Sequence, residues 1–180
     1  MLFRSLPVRL AVCLIIGALA VAGCKRKTAA DDAATGAPVA AETPQGQAFL
    51  DKNAKAPGVV VLPDGLQYRV ERAGPAGGAS PQPGDEIKIN YEGTLLDGTV
   101  FDSSYRRGQP AVMPLDGLVP GWMEALPKMH VGDVWYLYLP SKLGYGARGA
   151  GGAIPANAVL VFKVELLGVL PSSPGKTANG

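Results

Sequence analysis

The chain has 180 residues, enough for one domain with attachments and too few for two comfortable cores. It carries 17 Lys and Arg against 15 Asp and Glu; Arg4 and Arg9 lie in a leading segment without acids, so the remainder is formally neutral and lacks the basic face of a nucleic-acid binder. The single histidine, His130, and the two cysteines give no Cys/His/Asp cluster from which a zinc site or a Ser-His-Asp triad can be assembled, and neither a metal nor a cofactor is expected.

Residues 1–23 read MLFRSLPVRLAVCLIIGALAVAG: a basic start, an apolar run over residues 10–22, then small residues. This is the layout of a secretory signal, too short and wrongly flanked for a membrane span. Val21-Ala22-Gly23-Cys24 resembles the lipobox of bacterial lipoproteins, in which the cysteine after the small residues is diacylglyceryl-modified and becomes the new amino terminus. Lipidation of Cys24 is therefore expected, the alternative being an ordinary signal peptide with an incidental cysteine. Two or more acyl chains anchor a protein durably, and Lys25-Arg26-Lys27 would then meet anionic headgroups. The expected location is the bacterial cell envelope, lipid-anchored in the outer membrane and facing the periplasm. Cys13 leaves with the signal and Cys24 carries lipid, so no thiol remains for a disulfide.

Residues 24–44 continue as the lipidated cysteine and a tether, small, polar and broken by Pro and Gly, with nothing large to bury. Fully extended it would reach roughly 70 Å; as a flexible chain it would average ~25 Å. Residues 45–64 hold a short helix, GQAFLDKNAK, ended by Pro57-Gly58, and a lead-in strand over residues 59–62. The turn Pro63-Asp64-Gly65 joins it to a second strand over residues 66–70, and the Gly- and Pro-rich residues 74–84 form a loop. In DEIKINYEG, Ile87, Ile89 and Tyr91 alternate with Lys88, Asn90 and Glu92, the period of a strand with one buried face. Asp97-Gly98 at the centre of Leu96-Asp97-Gly98-Thr99 predicts a tight hairpin turn, because both residues tolerate the positive φ that such a turn uses. The returning strand carries Val100 and Phe101 and breaks at Asp102-Ser103-Ser104, whose short polar side chains cap and turn the backbone.

Residues 111–115 pair as a further strand. Pro120 then opens a helix in whose first turn a proline is well placed, with Trp122 and Leu126 on one face; Pro127 predicts that it ends or kinks near Leu126. Residues 134–139 read as a strand covered on both faces. Residues 158–167 are the last strand, with Leu160, Phe162, Val164 and Leu166 on one side, and residues 171–180 form a disordered tail. Gly144-Tyr145-Gly146-Ala147-Arg148-Gly149 matches G-x-G-x-x-G, yet Ala150-Gly151-Gly152 follows instead of a helix and no βαβ unit surrounds it. These glycines are read as shaping a loop over a pocket, not as a dinucleotide site. Several strands around one short helix make the fold class α+β.

The runs NYEGTLLDGTVFDSS, PGWMEAL, YLPSKLGYGARG and LVFKVELL, in this order over about residues 65–170, resemble the FKBP-type peptidyl-prolyl cis-trans isomerases. The upstream GQAFLDKNAKAPGVVVLPDGLQYRV is similar to the macrophage infectivity potentiator-like branch of that family. The resemblance implies an antiparallel sheet of about five strands wrapped around one short central helix. It also implies isomerisation of prolyl bonds in exported proteins, with proline-containing polypeptides as partners and no cofactor. Longer members dimerise through an extended helical region for which this chain has no length, so a monomer is expected. By resemblance, Asp102, Tyr145, Tyr91 and Phe162 are the catalytic positions and Phe101, Arg107, Leu118, Val119, Trp122 and Ile154 bind substrate. Tyr145 would donate a hydrogen bond to the substrate backbone, and Asp102, linked to Tyr91 and Arg107, would polarise the pocket wall. Periodicity alone reads each aromatic as core and Asp102 as a turn cap. A non-catalytic chaperone or adhesin-like domain that holds proline-containing chains is the rival function. Ala111 stands where many relatives have phenylalanine and Ala150 where some have histidine; both would widen the pocket rim.

Overall fold

Ten elements follow one another in the computed structural model of the chain, which describes residues 42–171. They are α1 (Pro44–Asn53), β1 (Val59–Val61), β2 (Gln67–Arg72), β3 (Glu86–Thr94), β4 (Val100–Ser103), α2 (Ser104–Arg107), β5 (Ala111–Pro114), α3 (Pro120–Ala125), β6 (Val134–Leu139) and β7 (Leu160–Leu170). The signal segment, Cys24 and most of the tether, like the tail from residue 172 onward, lie outside the described residues. Among the described residues no helix is long and apolar enough to cross a membrane.

All strand pairs are antiparallel, in the order β1-β2-β6-β7-β3-β4, with β5 also on β3. The antiparallel sheet around a short helix is as expected, and seven strands are present among the described residues, at the seven segments that the sequence reads as strand, where the family resemblance implies about five. One extra strand is the three-residue β1. Another arises because β4 and β5 share one edge of β3: β4 pairs with residues 92–94 and β5 with residues 86–89, and α2 is inserted between them. Strand β7 occupies the middle of the sheet, pairing with β3 on one side and β6 on the other.

The period-two reading of β3 holds residue by residue. Ile87, Ile89 and Tyr91 are buried, while Glu86 and Lys88 are exposed and Asn90 and Glu92 half-buried. Their buried faces meet Leu137 and Leu139 of β6 and Leu160, Phe162, Val164 and Leu166 of β7, in one cluster with Trp122 and Ala125 of α3 and with Leu126 just after it. Each fully buried Leu or Ile contributes about 1.5–3 kcal/mol. The second face of β6 is only partly covered: Tyr136 lies under the Arg69 guanidinium, 5.1 Å from the ring centroid, and Tyr138 beside Phe49 of α1.

One local expectation differs in detail and a second holds with an addition. The β3–β4 hairpin has a three-residue loop, with Gly98 N–H donating to Leu95 O at 3.0 Å and Leu95 N–H to Thr99 O at 2.9 Å. Only Gly98 takes a positive φ, of 86°; Asp97 instead accepts the Thr99 N–H on its carboxylate at 2.9 Å. A type I turn closed by a left-handed glycine tolerates this arrangement, and Asp97 needs no unusual backbone. Helix α3 stops at Ala125 as Pro127 requires, yet the chain tightens into a 3-10 turn over Leu126–Lys128 instead of breaking away. In that geometry the proline's missing amide is one that would have been unpaired anyway.

Before the sheet, Thr43 caps α1 by accepting the Gly46 N–H at 3.0 Å, and Pro44 occupies the first turn, a combination that starts helices for steric and hydrogen-bonding reasons. Leu50 and Gly46 are its buried residues. Gln67 of β2 donates to Leu50 O at 3.0 Å and accepts from Asn53 Nδ2 at 2.9 Å, fastening the helix to the sheet.

Candidate active site

One end of the sheet and the start of α3 enclose a cavity of about 510 Å³. Its floor consists of three aromatic rings meeting edge to face. Trp122 is 5.2 Å from Tyr91 and 5.0 Å from Phe162, and Phe101 adds a fourth ring 5.5 Å from Phe162. These are the separations at which an electropositive ring edge meets an electronegative ring face. Register explains the gathering. Gly93 lies opposite Phe162 in the β3–β7 ladder, and a Cβ there would come within 2.5 Å of Phe101 Cζ and 2.8 Å of Phe162 Cε1, so the two rings fill the room that glycine leaves.

Phe101 and Asp102 are neighbours in a strand and should face opposite sides, yet both line the cavity. The cause is a bulge. Gly93 pairs with Asp102 and the next residue, Thr94, with Val100, leaving Phe101 as an extra residue without a partner; such an insertion re-aims the side chains on the bulged strand. The chain then turns into α2 through Ser103, which accepts the Arg106 N–H at 3.3 Å, and leaves it through Gly108 at φ 72°. Ser104, wholly buried, accepts the Tyr91 N–H at 2.8 Å and so holds α2 against β3. That single turn carries Arg107 back over Asp102.

The resulting polar cluster is closed on itself. Tyr91 Oη–H donates to Asp102 Oδ2 at 2.5 Å, the Arg107 guanidinium donates to Asp102 Oδ1, and a second Arg107 nitrogen donates to Tyr91 Oη at 3.0 Å. The guanidinium also lies 5.4 Å from the Tyr91 ring centroid, within cation–π range. Burial pushes the Asp102 carboxyl up, but the bonds from Tyr91 and Arg107 together outweigh it and hold the group below its ordinary value. Burial and the bond to Asp102 push the Tyr91 phenol up.

The opposite wall is loop. After β6, a 3-10 turn over Ser141–Leu143 leads to Tyr145, and a second over Gly146–Arg148 leads to a glycine-rich stretch. Ala150 and Ile154 bridge each other, and Asn157 N–H donates to Gly146 O at 2.8 Å, closing the loop at its base. Ile154 is buried and Tyr145 is exposed, its hydroxyl making no hydrogen bond among the described residues. The G-x-G-x-x-G run thus shapes a roof.

Of the ten pocket positions singled out in the sequence, Tyr91, Phe101, Asp102, Leu118, Val119, Trp122, Tyr145, Ile154 and Phe162 line the cavity. Arg107 stands behind the wall and reaches it through Asp102 and Tyr91. Trp122 is both floor and core. Sequence reasoning missed Met113, Gly117, Gly151 and Ala153; Met113 could have been found, since it shares the inward face of β5 with Ala111. Ala150 is at the cavity, whereas Ala111 packs against the core beneath β5 and does not reach it. His130 lies outside, its N–H donating to Asp133 Oδ2 at 2.9 Å.

Residues 77–167 match the profile of FKBP-type peptidyl-prolyl cis-trans isomerase, and residues 20–70 that of the domain amino terminal to it. The chain is 52% identical over 123 residues to peptidyl-prolyl cis-trans isomerase Mip of Coxiella burnetii, covering 68% of this chain and 53% of that protein. It is 46% identical over 125 residues to outer membrane protein MIP of Legionella longbeachae, covering 69% and 53%. Among solved structures, FkpA from Escherichia coli matches with a TM-score of 0.68 at 44% identity, over 72% of this chain and 59% of that one. The chain spans about half the length of the curated relatives named here. With the profile matched over half of its residues, on the domain that builds the cavity, the chain belongs to the FKBP-type peptidyl-prolyl cis-trans isomerase family.

Proposed function

We propose that the protein is a peptidyl-prolyl cis-trans isomerase that assists the folding of exported proteins by binding proline segments in the aromatic cavity. The observation that carries this reading is the floor of Tyr91, Trp122 and Phe162 under a single carboxylate already neutralised by Arg107. Rotation about a prolyl bond is opposed by amide resonance, a barrier of about 18–20 kcal/mol, and the twisted amide is less polarised than the planar one. An apolar cavity that strips water from the bond therefore destabilises the planar form more than the twisted one, and that difference lowers the barrier. No proton needs to move. In this reading the proline ring rests on Trp122 between Tyr91 and Phe162. Phe101, Leu118, Val119 and Ile154 enclose it, and the unpaired Tyr145 hydroxyl donates to the substrate backbone. Asp102, its charge met by Arg107 and its other oxygen by the Tyr91 hydroxyl, polarises the pocket wall and holds the Tyr91 ring in place beside the bond.

A protease-coupled assay with proline tetrapeptides on the full chain in mild detergent tests the activity. Turnover above the uncatalysed rate is expected; binding of proline peptides without turnover would favour the non-catalytic chaperone or adhesin-like alternative. The reading includes export, acylation at Cys24 and residence in the envelope on the periplasmic side of the outer membrane. The small residues before Cys24 support it, as does the likeness to an outer membrane protein of Legionella longbeachae. It also includes a monomer, supported by α1, whose buried residues Gly46 and Leu50 are turned to its own domain. Labelling with palmitate should mark the wild type and leave Cys24→Ala unlabelled; label persisting in the variant would sink the lipoprotein reading.

A further inference from the structure

The segment just ahead of α1 touches the roof of the cavity at its root. Glu42 Oε1 accepts two hydrogen bonds from Ser141, one from the backbone N–H at 2.6 Å and one from the hydroxyl at 3.0 Å. Ser141 is wholly buried and opens the 3-10 turn that leads to Tyr145, and the residue before it, Pro140, offers no side-chain cap. The carboxylate of a residue 99 positions away thus does what a local cap would do for a turn's first amide. The other root of the same loop is held as well. Gly46 of α1 lies so close to Val159, the residue before β7, that an added Cβ would stand 2.8 Å from its Cγ2. Between these two fixed points runs the whole stretch that carries Tyr145 and Ile154 into the cavity.

We infer that Glu42 is a positioning residue for the isomerase site: it acts through Ser141 to hold Tyr145 at the cavity rim, with α1 as the clamp on the loop's far root. The inference rests on the isomerase reading above. Charge-assisted bonds are about twice as strong as neutral ones, and removing Glu42 strands a buried amide, whose cheapest relief is for the turn to open towards water. The floor rings stand on β3, α3 and β7, and the hydrogen bonds of Glu42 go to Ser141 instead.

Hydrogen exchange of the full chain in detergent, read peptide by peptide, gives a test independent of activity. In Glu42→Ala, exchange over residues 141–149 should rise about tenfold or more while β3 and β7 keep wild-type protection. Its kcat/KM should fall about fivefold, the rate equivalent of one hydrogen bond, mostly through KM. In a Tyr145→Phe background the same change should add less than twofold, because the group being positioned has lost its donor. Where Glu42→Ala fails to fold, Glu42→Gln replaces it, with a neutral acceptor expected to give about a twofold effect in both measurements. Wild-type exchange over residues 141–149 in the folded variant would overturn the inference, and so would an undiminished fivefold loss in the Tyr145→Phe background. A wild-type chain without turnover would remove the isomerase reading instead, and the exchange result would still decide whether Glu42 holds the roof.

Discussion

The floor and the roof of the cavity are built by opposite means. The floor rings of Tyr91, Trp122 and Phe162 are 7%, 4% and 4% exposed. They sit on two central strands and a helix, and they belong to the same apolar cluster that keeps the domain folded. The roof, residues 144–157, has no regular strand or α-helix. Positive φ at Gly146, Gly149, Gly151, Gly152 and Asn157 bends it, and one bridge and one backbone bond close it. Shape on the floor is therefore inseparable from stability, whereas shape on the roof is a matter of a few hydrogen bonds. A change to the floor should damage fold and activity together, and a change to the roof should damage activity alone.

Phe162→Ala should show the largest effect and the strongest coupling. Truncating a buried aromatic costs about 3–5 kcal/mol, so urea unfolding should shift by that amount and turnover should vanish; a stable but inactive variant would break the proposed equivalence of floor and core. Gly93→Ala comes next. Its new methyl meets Phe101 and Phe162 at less than 3 Å, overpacking that costs about 1–3 kcal/mol, and the displaced rings should lower kcat/KM at temperatures where circular dichroism reports a folded protein. Tyr145→Phe sharpens the contrast from the roof side: about a fivefold loss of kcat/KM, the net worth of one hydrogen bond, with an unchanged melting temperature.

The smallest effect concerns pH. Asp102 is held below its ordinary value of 3.8 and Tyr91 above its ordinary 10.0. The stability that Asp102 contributes is complete above its unfolded pKa and is lost only as pH falls through the lower folded value. That from Tyr91 is complete below its unfolded pKa and is lost as pH rises through the higher folded one. Neither group changes charge between pH 6 and 8, so kcat/KM should be nearly flat there with a solvent deuterium effect near unity, and His130→Gln should change little. A bell-shaped profile centred on neutrality would replace the desolvation mechanism with acid–base catalysis.

Legibility followed the same division. Ile87, Ile89 and Tyr91 announced a buried strand face because each side chain's direction follows from the two-residue period alone. Pro127 announced the end of α3 because its ring and missing amide act locally. The pairing of Phe101 with Asp102 on one side of a strand was not readable from period, since it depends on a bulge set by register against Gly93 and Thr94. Tyr145 and Ile154 were placed only by family resemblance: a loop's path is fixed by contacts distant in sequence, such as Asn157 with Gly146 and Ser141 with Glu42. The split of one sheet edge into β4 and β5 was hidden for a like reason, because α2 is held by the buried contact between Ser104 and Tyr91.

The place of β7 has a bearing on how the protein is made. It is the last strand of the described residues and yet the one that β3 and β6 both need as a neighbour. A chain that leaves the ribosome or a translocation channel amino end first must release residue 170 before either partner can form its full ladder. At synthesis rates of about 5–20 residues per second, Ile87 and Ile89 wait several seconds beside solvent or a chaperone, and closure then proceeds through contacts far apart in sequence, the slow kind. Phe162 arrives with that strand. A chain that stalls short of β7 therefore lacks the ring that, with Tyr91 and Trp122, makes the cavity floor.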